Sequence, residues 1–204
     1  GAGRAFCAGG DVASFSKEPA RVVAELLDAL HPALVALRAC PAPVLAVVQG
    51  AAAGAGFSIA IGADYVLASE TARFVIAYDR IGAAPDAGGT WHLARKVGRA
   101  KAFSMMLLGE TLDAKAALDA AIVSEVAPDA ELHVRAEAVA SRLASGPTAA
   151  YGRFKRLIDG AHAASFEAQL TAERQAFIDG TATADFAEGA AAFLARRAAS
   201  FRGE

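Results

Sequence analysis

Two glycine-rich stretches and one aspartate carry the residue types that can stabilise or move charge. Phe6 to Asp11 reads F-C-A-G-G-D, a tight turn in which Gly9 and Gly10 are free to take positive φ. Gly54-Ala55-Gly56 leads into Phe57-Ser58-Ile59-Ala60-Ile61, read as a short apolar helix. A tight turn can leave a backbone N–H unpaired, and a helix start does so while adding its partial positive charge. Two such N–H groups facing one cleft would hold a carbonyl oxygen that becomes negative during reaction. Glycines also stand at such points simply to turn the backbone, and both readings stay open here. A dinucleotide fingerprint is excluded, because Ile59 stands where G-x-G-x-x-G needs its last glycine.

Asp86 lies in G-A-A-P-D-A-G-G, Gly82 through Gly89, just ahead of a helix starting near Thr90. Its carboxylate either caps that helix or serves as a base, and the residues alone leave the two open. Asp11 is expected to brace the first loop and Asp64 to be structural at a strand start. Tyr78 and Asp79 either line a pocket or face solvent. His92 is assigned to packing or the surface. His31, His133 and His162 show no ligand spacing, so no metal is expected. Cys7 and Cys40 lack CxxC spacing, which suits packing roles in a reducing compartment.

The elements that must position these groups follow from periodicity. Val22, Leu26, Ala29 and Leu30 recur at helical spacing, with a kink or restart expected at His31-Pro32 before the helix runs on toward Cys40. Val44 to Val48 reads as a strand buried on both faces, ended by Gln49-Gly50. Tyr65 to Ala68 and Arg73 to Ile76 are two more strands. Helices are expected after Gly89, around Ala102 to Met106 and from Leu112 onward, with a short strand at Ile122 to Val126. Asp129 to Ser145 is helical, with Leu132, Ala136, Val139 and Leu143 inside. Beyond Gly146-Pro147 everything reads helical, marked by Phe154, Phe166, Phe177, Phe186 and Phe193. The class is α/β, repeated strand-strand-helix units around a parallel sheet followed by a helical tail.

At 204 residues the chain fits one domain, with at most a small appendage. A net charge of -2 and a pI of about 6.1 give no footprint for nucleic acid. Mean hydropathy is +0.34, yet the longest apolar stretch, Pro43 to Ile61, is cut by Gln49, Gly50, Gly54 and Gly56, so no membrane span is expected. The surplus apolar surface is assigned to contacts between subunits. The chain opens Gly1-Ala2-Gly3-Arg4 without an initiator Met, directly before a loop that needs an element to deliver it. An N-terminal part is therefore expected to precede it.

G-A-G-R-A-F-C-A-G-G-D at Gly1 to Asp11 resembles the first signature loop of the crotonase family, the enoyl-CoA hydratase/isomerase superfamily. V-L-A-V-V-Q-G-A-A-A-G-A-G at Val44 to Gly56 resembles its second, and I-G-A-A-P-D-A-G-G-T-W at Ile81 to Trp91 its third. A-D-F-A-E-G-A-A-A-F-L-A-R-R at Ala184 to Arg197 resembles its C-terminal stretch. The resemblance implies a spiral of strand-strand-helix repeats over residues 1–145 and a helical trimerisation region over 146–204. It also implies a homotrimer or dimer of trimers, a cytoplasmic location, and an acyl-CoA thioester as ligand, with coenzyme A entering only as part of the substrate. Matched onto this chain, the oxyanion-hole donors are the N–H groups of Ala8 and Ala55, with Gly9, Gly10, Asp11 and Gly54 shaping the site.

In the family's hydratases two glutamates manage water and the α-proton, and their positions are held here by Ser58 and Tyr78. A lone serine is no base, and a phenol with an ordinary pKa of about 10 is a poor one. The third loop resembles that of isomerases in phenylacetate degradation, which place a catalytic aspartate at the position of Asp86. The resemblance thus implies an enoyl-CoA isomerase with Asp86 as base. The alternatives are a non-catalytic acyl-CoA-binding member and a hydratase-like enzyme with atypical residues. Lys155 and Arg156, with Phe201 and Arg202, meet either CoA or solvent.

Overall fold

The computed structural model describes residues 1–15 and 17–204. The chain forms two compact units, one of residues 1–39 and 44–136, the other of residues 40–43 and 137–204.

The first unit begins with the loop through Gly9 and a 3₁₀ turn over Val12–Phe15, braced by Asp11. Its carboxylate accepts from the Ala13 N–H at 3.1 Å, and its carbonyl from the Ser14 hydroxyl at 2.6 Å. α1 (Pro19–Ala39) follows, then β1 (Leu45–Val48), β2 (Ala51–Ala53), α2 (Ala55–Ile61), β3 (Tyr65–Ser69) and β4 (Arg73–Val75). α3 (Gly89–Val97), α4 (Arg99–Leu107), β5 (Thr111–Asp113), α5 (Ala114–Asp119) and β6 (Glu125–Ala127) complete the repeats, and α6 (Leu132–Ala144) leads out. The expected kink does not divide α1, which carries Pro32 within one continuous helix.

β1 and β2, and then β3 and β4, go to different sheets. β1, β3 and β6 form one parallel sheet, and β2, β4 and β5 form the other. The units β1-β2-α2 and β3-β4-α3 each contribute to both sheets, which is the spiral expected from the sequence. The strands are not all parallel, however: β5 runs antiparallel to β4. β5 also replaces the helix start expected at Leu112, because Leu112 pairs opposite Phe74, and Asp113 then caps α5 by accepting from the Ala116 N–H at 2.8 Å. The strand expected at Ile122 to Val126 begins later, at Glu125, since Ile122 and Val123 turn in to pack under α5.

Alanine is a poor strand former, yet Ala51–Ala53 make β2, and tertiary pairing decides the matter. Ala52 is fully buried, paired with Phe74 on one side and bridged in parallel to Cys7 on the other. The core is filled by Val48, Phe57, Ile61, Phe74, Leu93, Met105 and Ile122, each of them buried. Burial of one such side chain is worth about 1.5–3 kcal/mol. Asp64 ties the entry of β1 to α1, accepting from the Val44 N–H at 2.9 Å and from Arg38 at 3.0 Å.

The second unit contains α7 (Thr148–Ala161), α8 (Phe166–Thr181) and α9 (Ala184–Leu194). Thr183 caps α9, and Asp185 accepts from the N–H groups of Arg202 and Gly203 at 2.7 and 2.9 Å. Arg197 pairs with Glu188 through two contacts. Lys155 is only 9% exposed and so does not belong to a solvated face. The aromatic stripes that mark these helices stay exposed in the single chain, among them Phe166, Phe177 and Phe193.

α2 reaches the first loop through Gly56, where a Cβ would lie 2.2 Å from the Cys7 carbonyl oxygen and 2.7 Å from its Cβ. Gly56→Ala should therefore cost about 1–3 kcal/mol through overpacking, read as a lower urea midpoint at unchanged m-value.

Candidate active site

Gly54 opens α2 from a positive-φ conformation, φ 54°, with its own N–H bound to Val75 O at 3.1 Å. Ala55 is thus the first helical residue, two positions earlier than the apolar run alone suggests. Neither its N–H nor that of Ala8 donates to any described residue. The two loops touch: a Cβ on Gly9 (φ 94°) would meet the Ala53 carbonyl at 2.9 Å and the Ala55 nitrogen at 3.6 Å. Cys7 is fixed beside them, its N–H on Ala51 O and its carbonyl accepting from Ala53. Unpaired N–H groups at a helix start carry partial positive charge and suit an anionic oxygen.

Ser58 lies one helical turn after Ala55 and is fully buried. Its hydroxyl is 3.0 Å from the Tyr78 phenol oxygen, and Tyr78 in turn donates to Asp86 Oδ1 at 2.6 Å. α3 can begin against Ser58 because residue 89 is glycine, where a Cβ would come within 2.3 Å of the Ser58 hydroxyl.

Asp86 does not cap α3. Gly88, left-handed at φ 77°, holds the cap position with no side-chain bond, and only the Asp86 carbonyl reaches the helix start, accepting from Gly89 at 2.9 Å. The carboxylate's Oδ2 has no partner among the described residues. Tyr78 is 8% exposed, which removes the solvent-facing alternative for it, whereas Asp79 is exposed. Burial, and then the bond to Asp86, raise the Tyr78 pKa well above the ordinary phenol value, so the phenol stays neutral.

From sequence, Ser58 and Tyr78 stand at the two glutamate positions, with Tyr78 also a pocket or solvent residue, and neither is joined to Asp86. Ser58 at i+3 from Ala55 was the one available signal, since it puts both on one helix face.

Ser58 lines a cavity of about 340 Å³ shared with Ile59, Gly62, Ala87 and His92. Tyr78 lines a second, of about 530 Å³, with Ile76, Pro85, Ala94, Phe103 and Met106. Among the described residues no cluster of three or more metal-ligating side chains occurs, and no helix is long and apolar enough to cross a membrane.

His92 packs edge-on against Trp91, with ring centroids 4.8 Å apart, and Arg95 stacks over Trp91 at 3.6 Å. Burial, then the charges of Arg38, Lys96 and Arg95, hold its imidazole down to about 4, with Asp64 opposing. The folded chain therefore binds this proton less readily than the unfolded chain. Stability from the neutral imidazole is complete above the ordinary value of 6.5 and is lost as pH falls toward about 4. Between those limits, His92→Gln should show a smaller fall in Tm than the parent protein in a pH series.

The family described as Enoyl-CoA hydratase/isomerase matches residues 1–204. A protein of Rhodobacter capsulatus named a probable enoyl-CoA hydratase is 41% identical over 203 residues, 100% of this chain and 79% of its own length. The 1,2-epoxyphenylacetyl-CoA isomerase of Escherichia coli is 38% identical over 208 residues, again 100% of this chain and 79% of that protein. The crystal structure of an enoyl-CoA hydratase from Polaromonas sp. JS666 superposes with a TM-score of 0.92 at 36% identity, covering 98% of this chain and 79% of that one. The third loop's likeness to phenylacetate isomerases does not extend to a preference over the whole chain, where the hydratase shows the higher identity. On these matches and the spiral fold, the chain belongs to the enoyl-CoA hydratase/isomerase family.

Proposed function

We propose that this protein binds an acyl-CoA thioester and moves a double bond between the 3,4 and 2,3 positions, as an enoyl-CoA isomerase. Asp86 takes a proton from C2, and the C–H pair forms a C1=C2 bond as the carbonyl π pair moves onto the thioester oxygen. When the oxygen's pair restores the carbonyl, the C1=C2 pair becomes C2=C3 and the C3=C4 pair takes the proton back from the same carboxylate at C4. The N–H groups of Ala8 and Ala55 receive the oxygen of the dienolate. Gly9 and Gly54 shape the approach of the two loops, while Gly10 and Asp11 hold the first. A single carboxylate suffices because the proton leaves and returns on one side.

The observation that carries this reading is the disposition of Asp86: its carboxylate is not consumed by the helix it precedes, and one oxygen stays unpartnered. The two positions at which the family's hydratases carry glutamates hold hydroxyls bonded to each other instead. Hydration is the second reading, favoured by the 41% identity to a protein named a hydratase. A homotrimer or dimer of trimers, with residues 146–204 as the trimerisation region, is supported by the exposed Phe166, Phe177, Phe193 and Leu194. A cytoplasmic location belongs to the same proposal.

Incubation with 3-enoyl-CoA and 2-enoyl-CoA, with and without Asp86→Ala, tests the assignment. Isomerisation should fall by about 10²–10⁴ in the variant, while thioester affinity stays within about threefold. Formation of 3-hydroxyacyl-CoA at a rate indifferent to Asp86 would favour hydration. Tight binding without turnover in both proteins would leave a binding role alone.

A further inference from the structure

We infer that Tyr78 is a positioning residue for Asp86, holding the carboxylate through Oδ1 so that Oδ2 is the oxygen offered to the substrate proton. The inference rests on the reading of Asp86 as the base. A phenol has one proton to give. At 2.6 Å that proton is directed at Asp86 Oδ1, so the 3.0 Å contact with Ser58 runs from the serine hydroxyl to the phenol oxygen. The chain thus has a fixed sense: Ser58 donates to Tyr78, and Tyr78 donates to Asp86.

Three features make this arrangement rigid. Ser58 is fully buried and Tyr78 8% exposed, so neither hydroxyl has water as an alternative partner of equal standing. Gly89 packs against Ser58, where an added Cβ would come within 2.3 Å of its hydroxyl. The phenol is kept neutral by burial and by Asp86 itself, and so remains a donor throughout the working pH range. Asp86, by contrast, sits in a loop that turns through left-handed residues at Gly82, Ala87 and Gly88. Nothing in that loop other than the phenol fixes the rotation of its carboxylate among the described residues. In the proton transfer the O–H bond of Tyr78 stays intact; only Oδ2 gains and loses the substrate proton.

Displacement of a reacting group by about 1 Å can cost about 10²-fold in rate. Tyr78→Phe retains the ring in the core and deletes only the donor. With a 3-enoyl-CoA as substrate, it should lower kcat about 10- to 100-fold with KM changed less than about twofold. The variant also strands the buried Ser58 hydroxyl, so Ser58→Ala is combined with it to remove that orphan. The double variant should regain thermal stability yet remain slow. On the residual rate of Asp86→Ala, adding Tyr78→Phe should cause no further loss, because both act through one carboxylate. Parental kcat in Tyr78→Phe beside a slow Asp86→Ala would overturn this inference and leave the base assignment intact. Recovery of kcat in the double variant would show the loss to be structural and would overturn it as well. Parental turnover in Asp86→Ala would remove the base assignment, and this inference with it.

Discussion

The space beside Cys7 admits backbone and nothing larger. Gly56 fills it, and the rest of the candidate site is arranged around that contact. With α2 pressed against the first loop, the start of the helix and the glycine turn become neighbours, although residues 8 and 55 are remote in sequence. The parallel bridge from Cys7 to Ala52 and the hydrogen bonds on either side of it secure the loop from the sheet edge. The same economy of side chains recurs at Gly89, where α3 meets Ser58. Small residues therefore act here as geometry: they let three backbone segments approach closely enough for short polar groups to meet.

Those polar groups divide into two kinds. The amides at Ala8 and Ala55 have no partner among the described residues, whereas the hydroxyls of Ser58 and Tyr78 are both engaged as donors. Buried hydroxyls ordinarily find partners, and here the partner at the end of the line is a carboxylate. A charge-assisted bond of this type is stronger than one between neutral groups. The phenol resists ionisation, and the imidazole of His92, held neutral by burial and then by Arg38, Lys96 and Arg95, resists protonation.

Much of this was legible in the sequence, and the parts that were not share a cause. The glycine loops announce themselves because glycine is the residue that turns and close approaches demand, and the apolar runs of β1, β3 and β4 are what buried strands require. The strand at Ala51–Ala53 carries no such mark, since its residues are placed by Cys7 and Phe74 rather than by propensity. Thr111–Asp113 was hidden for the same reason: its partner, β4, fixes it as a strand. The function of Asp86 as a non-capping residue depends on Gly88 taking the cap position, which composition leaves undecided. Ser58 and Tyr78 are joined by a bond spanning two different elements, and no local pattern encodes such a pairing.

Distribution of the strands over two sheets also bears on the order in which the chain acquires its structure. Leu45 pairs with Tyr65 and Ala51 with Arg73, whereas Leu67 waits for Glu125. Closing a longer loop costs more chain entropy, so the early pairings have the advantage during collapse. A nascent chain leaving a ribosome can therefore zip β1 to β3 and β2 to β4 before β6 has been synthesised, with the two glycine loops assembled on a half-built sheet.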